Sequence, residues 1–133
     1  MAELTELFSL KGRVAIITGG DGRLGIEHAK ALSAAGAKVY SFDTARSDTL
    51  AKIATHIDVD ITSPEDIARA VAQIVKEERR IDILINNAVI DQPLPKDDEA
   101  GWEDYPAFPK AQWEKEIAVG LSGAQYAIQA VAP

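Results

Sequence analysis

An α/β fold, with a parallel sheet covered by helices on both faces, is what this sequence predicts, and three observations carry it. Short apolar runs alternate with helical patterns along the 133 residues, as a parallel sheet with crossover helices requires. The first run, Val14-Ala15-Ile16-Ile17, passes directly into a glycine-rich turn, Thr18-Gly19-Gly20-Asp21-Gly22-Arg23-Leu24-Gly25. The run Val39 to Phe42 is closed by an acidic residue, Asp43, about 20 residues beyond the glycines.

The elements follow in order. Val14–Thr18 predicts the first strand, and Leu24–Ala35 the first helix, closed by Gly36. Lys38–Asp43 predicts the second strand. Thr44 to Thr55 leaves room for about two helical turns before a third strand at His56–Asp60. The next helix is the best signed: Ser63 suits its cap, Pro64 its first position, and Asp66 stands three after the cap. Ile67, Ala70, Val71, Ile74 and Val75 then form one apolar stripe. Ile81–Ile85 predicts the fourth strand, ending in Asn86-Asn87. Residues 88–110 are rich in proline and acid and predict one long loop. From Lys110 to Val131 the pattern is helical again, with Trp113, Ile117, Leu121, Ala124 and Ile128 on one side. No internal repeat and no second-domain boundary is seen, so residues 1–133 predict one domain.

The turn has a specific physical use. A buried strand must hand the chain to a helix within a few residues. Glycines permit that turn and let backbone N–H groups approach a pyrophosphate. The helix start then offers unpaired N–H groups and a positive dipole end. Gly19, Gly22 and Gly25 are spaced G-x-x-G-x-x-G, and an acid at Asp43 suits the ribose hydroxyls of NAD while repelling a 2′-phosphate. The reading is a dinucleotide site for NAD, with NADP second.

Composition narrows the class. A formal charge of −7 disfavours nucleic acid and anionic membrane surfaces as partners. The absence of cysteine excludes disulfides, thiol nucleophiles and thiolate metal sites. Met1 to Leu10 lacks the pattern of a signal peptide, and no apolar run reaches about 18 residues; a cytoplasmic protein is expected. No acid or histidine cluster has metal-ligand spacing. His28 and His56 read as structural or solvated, and Asp97-Asp98-Glu99 as a solvated loop. Trp102, Tyr105 and Phe108 either line a pocket or pin their long loop.

Taken together, these residues resemble the short-chain dehydrogenase/reductase family over the whole chain. Leu10-Lys11-Gly12-Arg13-Val14-Ala15-Ile16-Ile17-Thr18-Gly19 looks like that family's first strand. Asp58-Val59-Asp60-Ile61-Thr62 resembles its adenine-holding segment, which maps to Asp60 and Ile61. Ile81-Asp82-Ile83-Leu84-Ile85-Asn86-Asn87-Ala88 is similar to its fourth strand and Asn-Asn-Ala-Gly signature. The resemblance implies a Rossmann-like sheet in strand order 3-2-1-4, with the cofactor across the carboxyl ends. The expected cofactor-binding residues are Gly19, Gly22, Arg23, Leu24, Gly25, Asp43, Asp60, Ile61, Asn87, Ala88 and Val89.

The departures matter as much. The family's shorter members carry glycine where Arg23 stands, whereas here the middle glycine is Gly22; Arg23 faces either the pyrophosphate or solvent. Val89 replaces the signature glycine, where a side chain is expected to crowd the nicotinamide ribose. Gly120, in Val119-Gly120-Leu121-Ser122-Gly123, stands where an asparagine supports the family's proton relay. That chemistry also needs a serine and a tyrosine followed four residues later by lysine. The residues four after Tyr40, Tyr105 and Tyr126 are Thr44, Pro109 and Ala130. No catalytic residue is therefore expected in this sequence. The simplest expectation is an amino-terminal portion, truncated before the fifth strand and inactive alone. Its completed form would take a small alcohol or carbonyl substrate. A non-catalytic dinucleotide-binding or interaction module is the alternative. An apolar edge left at strand four leads us to expect a homo-oligomer or a complementing chain.

Overall fold

The structure, a computed structural model, describes residues 6–90 and 108–132. Asp97 to Glu99, Trp102 and Tyr105 lie outside them. Four strands form one parallel sheet: β1 (Val14–Thr18), β2 (Lys38–Asp43), β3 (Thr55–Asp58) and β4 (Ile83–Asn86), in the order β3-β2-β1-β4. The order is the expected 3-2-1-4. Helix α1 (Arg23–Ala34) follows β1, α2 (Pro64–Glu78) follows β3, and α3 (Lys110–Ile117) leads through a π-helical turn (Ala118–Ser122) into α4 (Gly123–Val131).

Strand alternation divides the core into two layers. Val14 and Ile16 of β1, Tyr40 and Phe42 of β2 and Ile57 of β3 pack against Ile67, Ala70, Val71 and Ile74 of α2 and Ala127 of α4. On the opposite face Ile17 and Val39 meet Ala29 of α1, together with Ala37 and Leu50. All five residues of β1 are buried, which explains why its sequence runs apolar without alternation. Helix α2 begins as its sequence dictates. Ser63 Oγ accepts the Asp66 N–H at 3.2 Å, and Pro64 occupies the first turn.

Several boundaries differ from expectation, each for a local reason. Helix α1 is displaced by one residue, because Gly22 already has extended cap geometry and Ala35 ends the helix. Strand β3 stops at Asp58 rather than Asp60: Asp60 turns to accept the Thr62 N–H and hydroxyl at 2.8 and 2.7 Å. Strand β4 begins at Ile83 rather than Ile81, because the Asp82 side chain accepts the Val14 N–H at 2.9 Å. Between β2 and β3 the chain makes one 3₁₀ turn, Leu50–Lys52, instead of two helical turns, anchored by the fully buried Leu50.

The last helical stretch holds the largest correction. The expected apolar side holds only in part: Ile117 and Ala124 are half-buried. Trp113, Leu121 and Ile128 are exposed, whereas Gly123 and Ala127 are buried, with Val119, Tyr126, Ala130 and Val131 against the core. The π turn inserts one residue into the helical repeat, so beyond Ala118 a stripe extrapolated at 3.6 residues per turn drifts off the packed face; Trp113 precedes the turn. Gly123 must be small, since a Cβ there would stand 2.9 Å from the Ile61 carbonyl.

Candidate functional site

The carboxyl ends of the strands open onto a cleft of about 1200 Å³, lined by Gly19, Gly22, Arg23, Leu24, Asp43, Asp60, Ile61, Asn87, Ala88 and Val89 among others. Ten of the eleven residues expected at a cofactor site therefore share one surface. The eleventh, Gly25, is buried directly beneath it.

The glycine turn is shaped by contacts that leave no room for side chains. Gly19 has φ of +65°, and a Cβ there would stand 2.9 Å from Ala88 Cα. A Cβ on Gly25 would overlap the Gly19 carbonyl oxygen and lie 2.6 Å from Gly20 Cα. Gly20, which spacing alone does not single out, is equally constrained: its Cβ would overlap Ser41 Oγ and lie 2.8 Å from Ser41 Cβ. Gly22 is the least crowded, with only the Gly19 oxygen at 3.3 Å. It caps α1 without a side chain, whereas Ser63 caps α2 with its hydroxyl. The first-turn amides of α1 thus receive no side-chain acceptor from their cap.

Thr18 and Asn87 join the turn to β4. Thr18 Oγ1 accepts the N–H groups of Asn87 and Ala88, each at 3.0 Å. Asn87 Nδ2 donates to the carbonyls of Thr18 and Gly19 at 3.1 and 2.9 Å. Val89, just beyond, is exposed, as is Leu24 across the cleft. At the other end Asp43 accepts the Asp21 N–H on Oδ2 at 3.1 Å and the Ala45 N–H on Oδ1 at 3.0 Å.

Asp21, whose N–H meets Asp43, is a buried neighbour of the cleft that sequence spacing does not single out. Its side chain is 1% exposed and accepts from Ser41 Oγ at 2.6 Å and the Ser47 N–H at 2.7 Å, with His56 Nδ1 at 2.8 Å. Burial pushes its pKa up, but the hydrogen bonds from Ser41, His56 and Ser47 outweigh that and hold it below the ordinary value. Asp66, beside Asp60, is also lowered, by the Asp60 N–H and Arg69. Asp60 itself keeps Oδ1 on Thr62, and Ile61 is buried at the base of the cleft.

Against this geometry, comparison with known proteins identifies the family. The sequence profile of the short chain dehydrogenase family matches residues 13–133, and the chain belongs to that family. It is 34% identical over 130 residues to 2-dehydro-3-deoxy-D-gluconate 5-dehydrogenase of Bacillus subtilis (strain 168), covering 92% of this chain and 47% of that protein. It is 38% identical over 118 residues to short-chain dehydrogenase/reductase VdtF of Byssochlamys spectabilis, covering 76% of this chain and 38% of that one. Among solved structures, the RhlG/NADP active-site complex of Pseudomonas aeruginosa superposes with a TM-score of 0.77 at 27% identity, covering 95% of this chain and 49% of that one. The chain therefore spans about half or less of the length of these relatives. No helix among the described residues is long and apolar enough to cross a membrane.

Proposed function

We propose that residues 1–133 form one nucleotide-binding domain of an NAD-dependent oxidoreductase, which exchanges hydride between the nicotinamide and a small alcohol or carbonyl compound. One observation carries the reading: three glycines of the turn are packed too closely for any side chain, at the carboxyl ends of parallel strands and next to Asp43. A backbone cradle of that kind fits a pyrophosphate. Gly19, Gly22, Arg23, Leu24 and Gly25 would hold the phosphates, Asp43 the adenosine ribose, Asp60 and Ile61 the adenine. Asn87, Ala88 and Val89 would border the nicotinamide ribose. The bound cofactor supplies the hydride donor or acceptor. This chain's own residues bind and orient it, and Thr18 with Asn87 keeps the cradle fixed to the sheet.

NAD is favoured over NADP because Asp43 would repel a 2′-phosphate and accept a ribose diol. Isothermal titration calorimetry with both dinucleotides tests this: NAD is expected to bind more tightly, and tighter NADP binding overturns the assignment. The relative solved with NADP makes that comparison a necessary one.

Within this sequence no tyrosine is followed by lysine four residues on, so the proposed domain binds cofactor without completing the chemistry alone. A cytoplasmic oxidoreductase, completed by further chain or by a second subunit, is the reading favoured. Gly120 and Val89, which depart from the family pattern, support a second one: a dinucleotide-binding module without catalysis. NAD reduction assayed with alcohols and polyols separates them when the chain is supplied with the missing tyrosine–lysine segment. Turnover supports the enzyme, and binding without turnover the module.

A further inference from the structure

A buried polar cluster beside the cleft centres on Asp21, a residue to which the dinucleotide reading assigns no role. Its buried carboxylate joins three segments: Ser41 in β2, Ser47 in the loop beyond, and His56 in β3. Its own N–H donates to Asp43 Oδ2. Among the described residues, the hydrogen bonds to the Asp43 carboxylate come from backbone amides, those of Asp21 and Ala45. The loop that carries Ala45 is pinned two residues later by the Ser47 N–H on Asp21 Oδ1, at 2.7 Å. Asp43 is thus oriented through Asp21 twice, once directly and once through its loop. Gly20 belongs to the same device, because only a residue without Cβ lets Ser41 sit close enough to reach Asp21.

We propose that Asp21 is the positioning residue of the adenosine-ribose subsite. It holds Asp43 and the 44–47 loop in the orientation that reads an unphosphorylated ribose diol, and it adds a second fixed negative charge against a ribose phosphate. The inference rests on the dinucleotide reading and deepens it. The carboxylate is ionised at neutral pH, since its hydrogen bonds outweigh its burial, and two neighbouring carboxylates repel an incoming phosphate more than one does.

Calorimetric titration of the full chain with 5′-AMP, 2′-deoxy-AMP and 2′,5′-ADP tests it. Wild type is expected to bind 5′-AMP about tenfold or more tighter than either other probe. Asp21→Ala should lose most of that discrimination while holding 2′-deoxy-AMP nearly as well as wild type. Asp21→Asn preserves the volume and the acceptor for Ser47, and should keep the preference for the diol while gaining affinity for 2′,5′-ADP. If Asp21→Ala does not fold, Ser47→Pro, which removes the loop's N–H and is compared with Ser47→Ala for the loss of the hydroxyl, reads the positioning half and Asp21→Asn the charge half. Unchanged ratios in these variants, or parallel weakening of all three probes, overturn the inference and leave the dinucleotide reading standing. A wild-type chain that binds none of the probes overturns both.

Discussion

A Cβ on Gly25 would overlap the Gly19 carbonyl oxygen, and one on Gly22 meets only that same oxygen at 3.3 Å, so two glycines of one motif carry different constraints. Overpacking of the first kind costs about 1–3 kcal/mol, because the obstructing atoms are backbone and cannot rotate away. Gly25→Ala is therefore expected to destabilise the chain by that amount and to lose dinucleotide binding. Gly22, at φ of −76°, should lose less on replacement by alanine, since its Cβ needs only a few tenths of an ångström from the Gly19 oxygen. Urea unfolding of the two variants checks the contrast, and equal losses would refute it. The spacing of Gly19, Gly22 and Gly25 is visible in sequence, but which of them is sterically required is not. Gly20 is constrained by Ser41, 21 positions away in the chain, and Asp21 by partners 20, 26 and 35 positions away. Spacing rules read neighbours along the chain. These constraints come from strands that become neighbours only after the sheet forms.

Among the elements, β1 and β4 are tied at their starts by Asp82, whose side chain meets Arg80, Arg13 at 2.9 Å and the Val14 N–H at 2.9 Å. Arg80, then the Val14 N–H and Arg13, hold its carboxyl well below the usual range. A lowered folded-state pKa means that the charged form stabilises the fold above the unfolded value, about 3.9, and that this contribution fades as pH falls toward the folded value. Asp82→Asn should thus be less stable than wild type at pH 7, with the gap narrowing below about pH 4. Denaturant unfolding at pH 7 and pH 3 reads the difference, and a gap independent of pH would refute it. The α3–α4 stretch offers the opposite case. Gly120 lies inside a helical run, its φ is not positive, and nothing stands within 4 Å of a Cβ placed there. Glycine in such a position costs about 1 kcal/mol relative to alanine, so Gly120→Ala should raise the melting temperature by a few degrees, about 2–8 °C. No gain, or a loss, would mean that the π turn needs glycine's freedom. Helices α1 and α2 are legible in sequence because an unbroken helical period and cap chemistry agree. The packed face of α4 is not, because a π insertion leaves the residue pattern intact while rotating every residue beyond it about the helix axis.

For the molecule as a whole, the two edges of the sheet are unlike each other. On one side β3 reads Thr55-His56-Ile57-Asp58, short and polar at every position but Ile57, which discourages pairing with another strand. On the other side β4 reads Ile83-Leu84-Ile85-Asn86, pairs only with β1 among the described residues, and is half-buried along its apolar part. An apolar edge of that kind templates further strands. The helical stretch beyond it adds exposed apolar side chains at Trp113, Leu121 and Ile128, which are 52%, 65% and 47% accessible. Scattered single apolar residues on a surface need no explanation, but together with an open apolar strand edge they add surface that association would bury. The net charge of −7 opposes association only at long range and is screened within about 8 Å at physiological salt, so it does not protect these close contacts. We expect this chain to self-associate at physiological salt, through β4, the exposed helical row, or both. Leu121→Lys with Ile128→Lys should shift the sedimentation velocity profile toward monomer without lowering the melting temperature, because neither side chain belongs to the packed core. If association persists unchanged in that variant, β4 alone carries it, and Ile83→Lys, on the edge strand and outside both core clusters, becomes the decisive substitution. A wild-type chain that sediments as a monomer up to its solubility limit would show that neither surface seeks a partner.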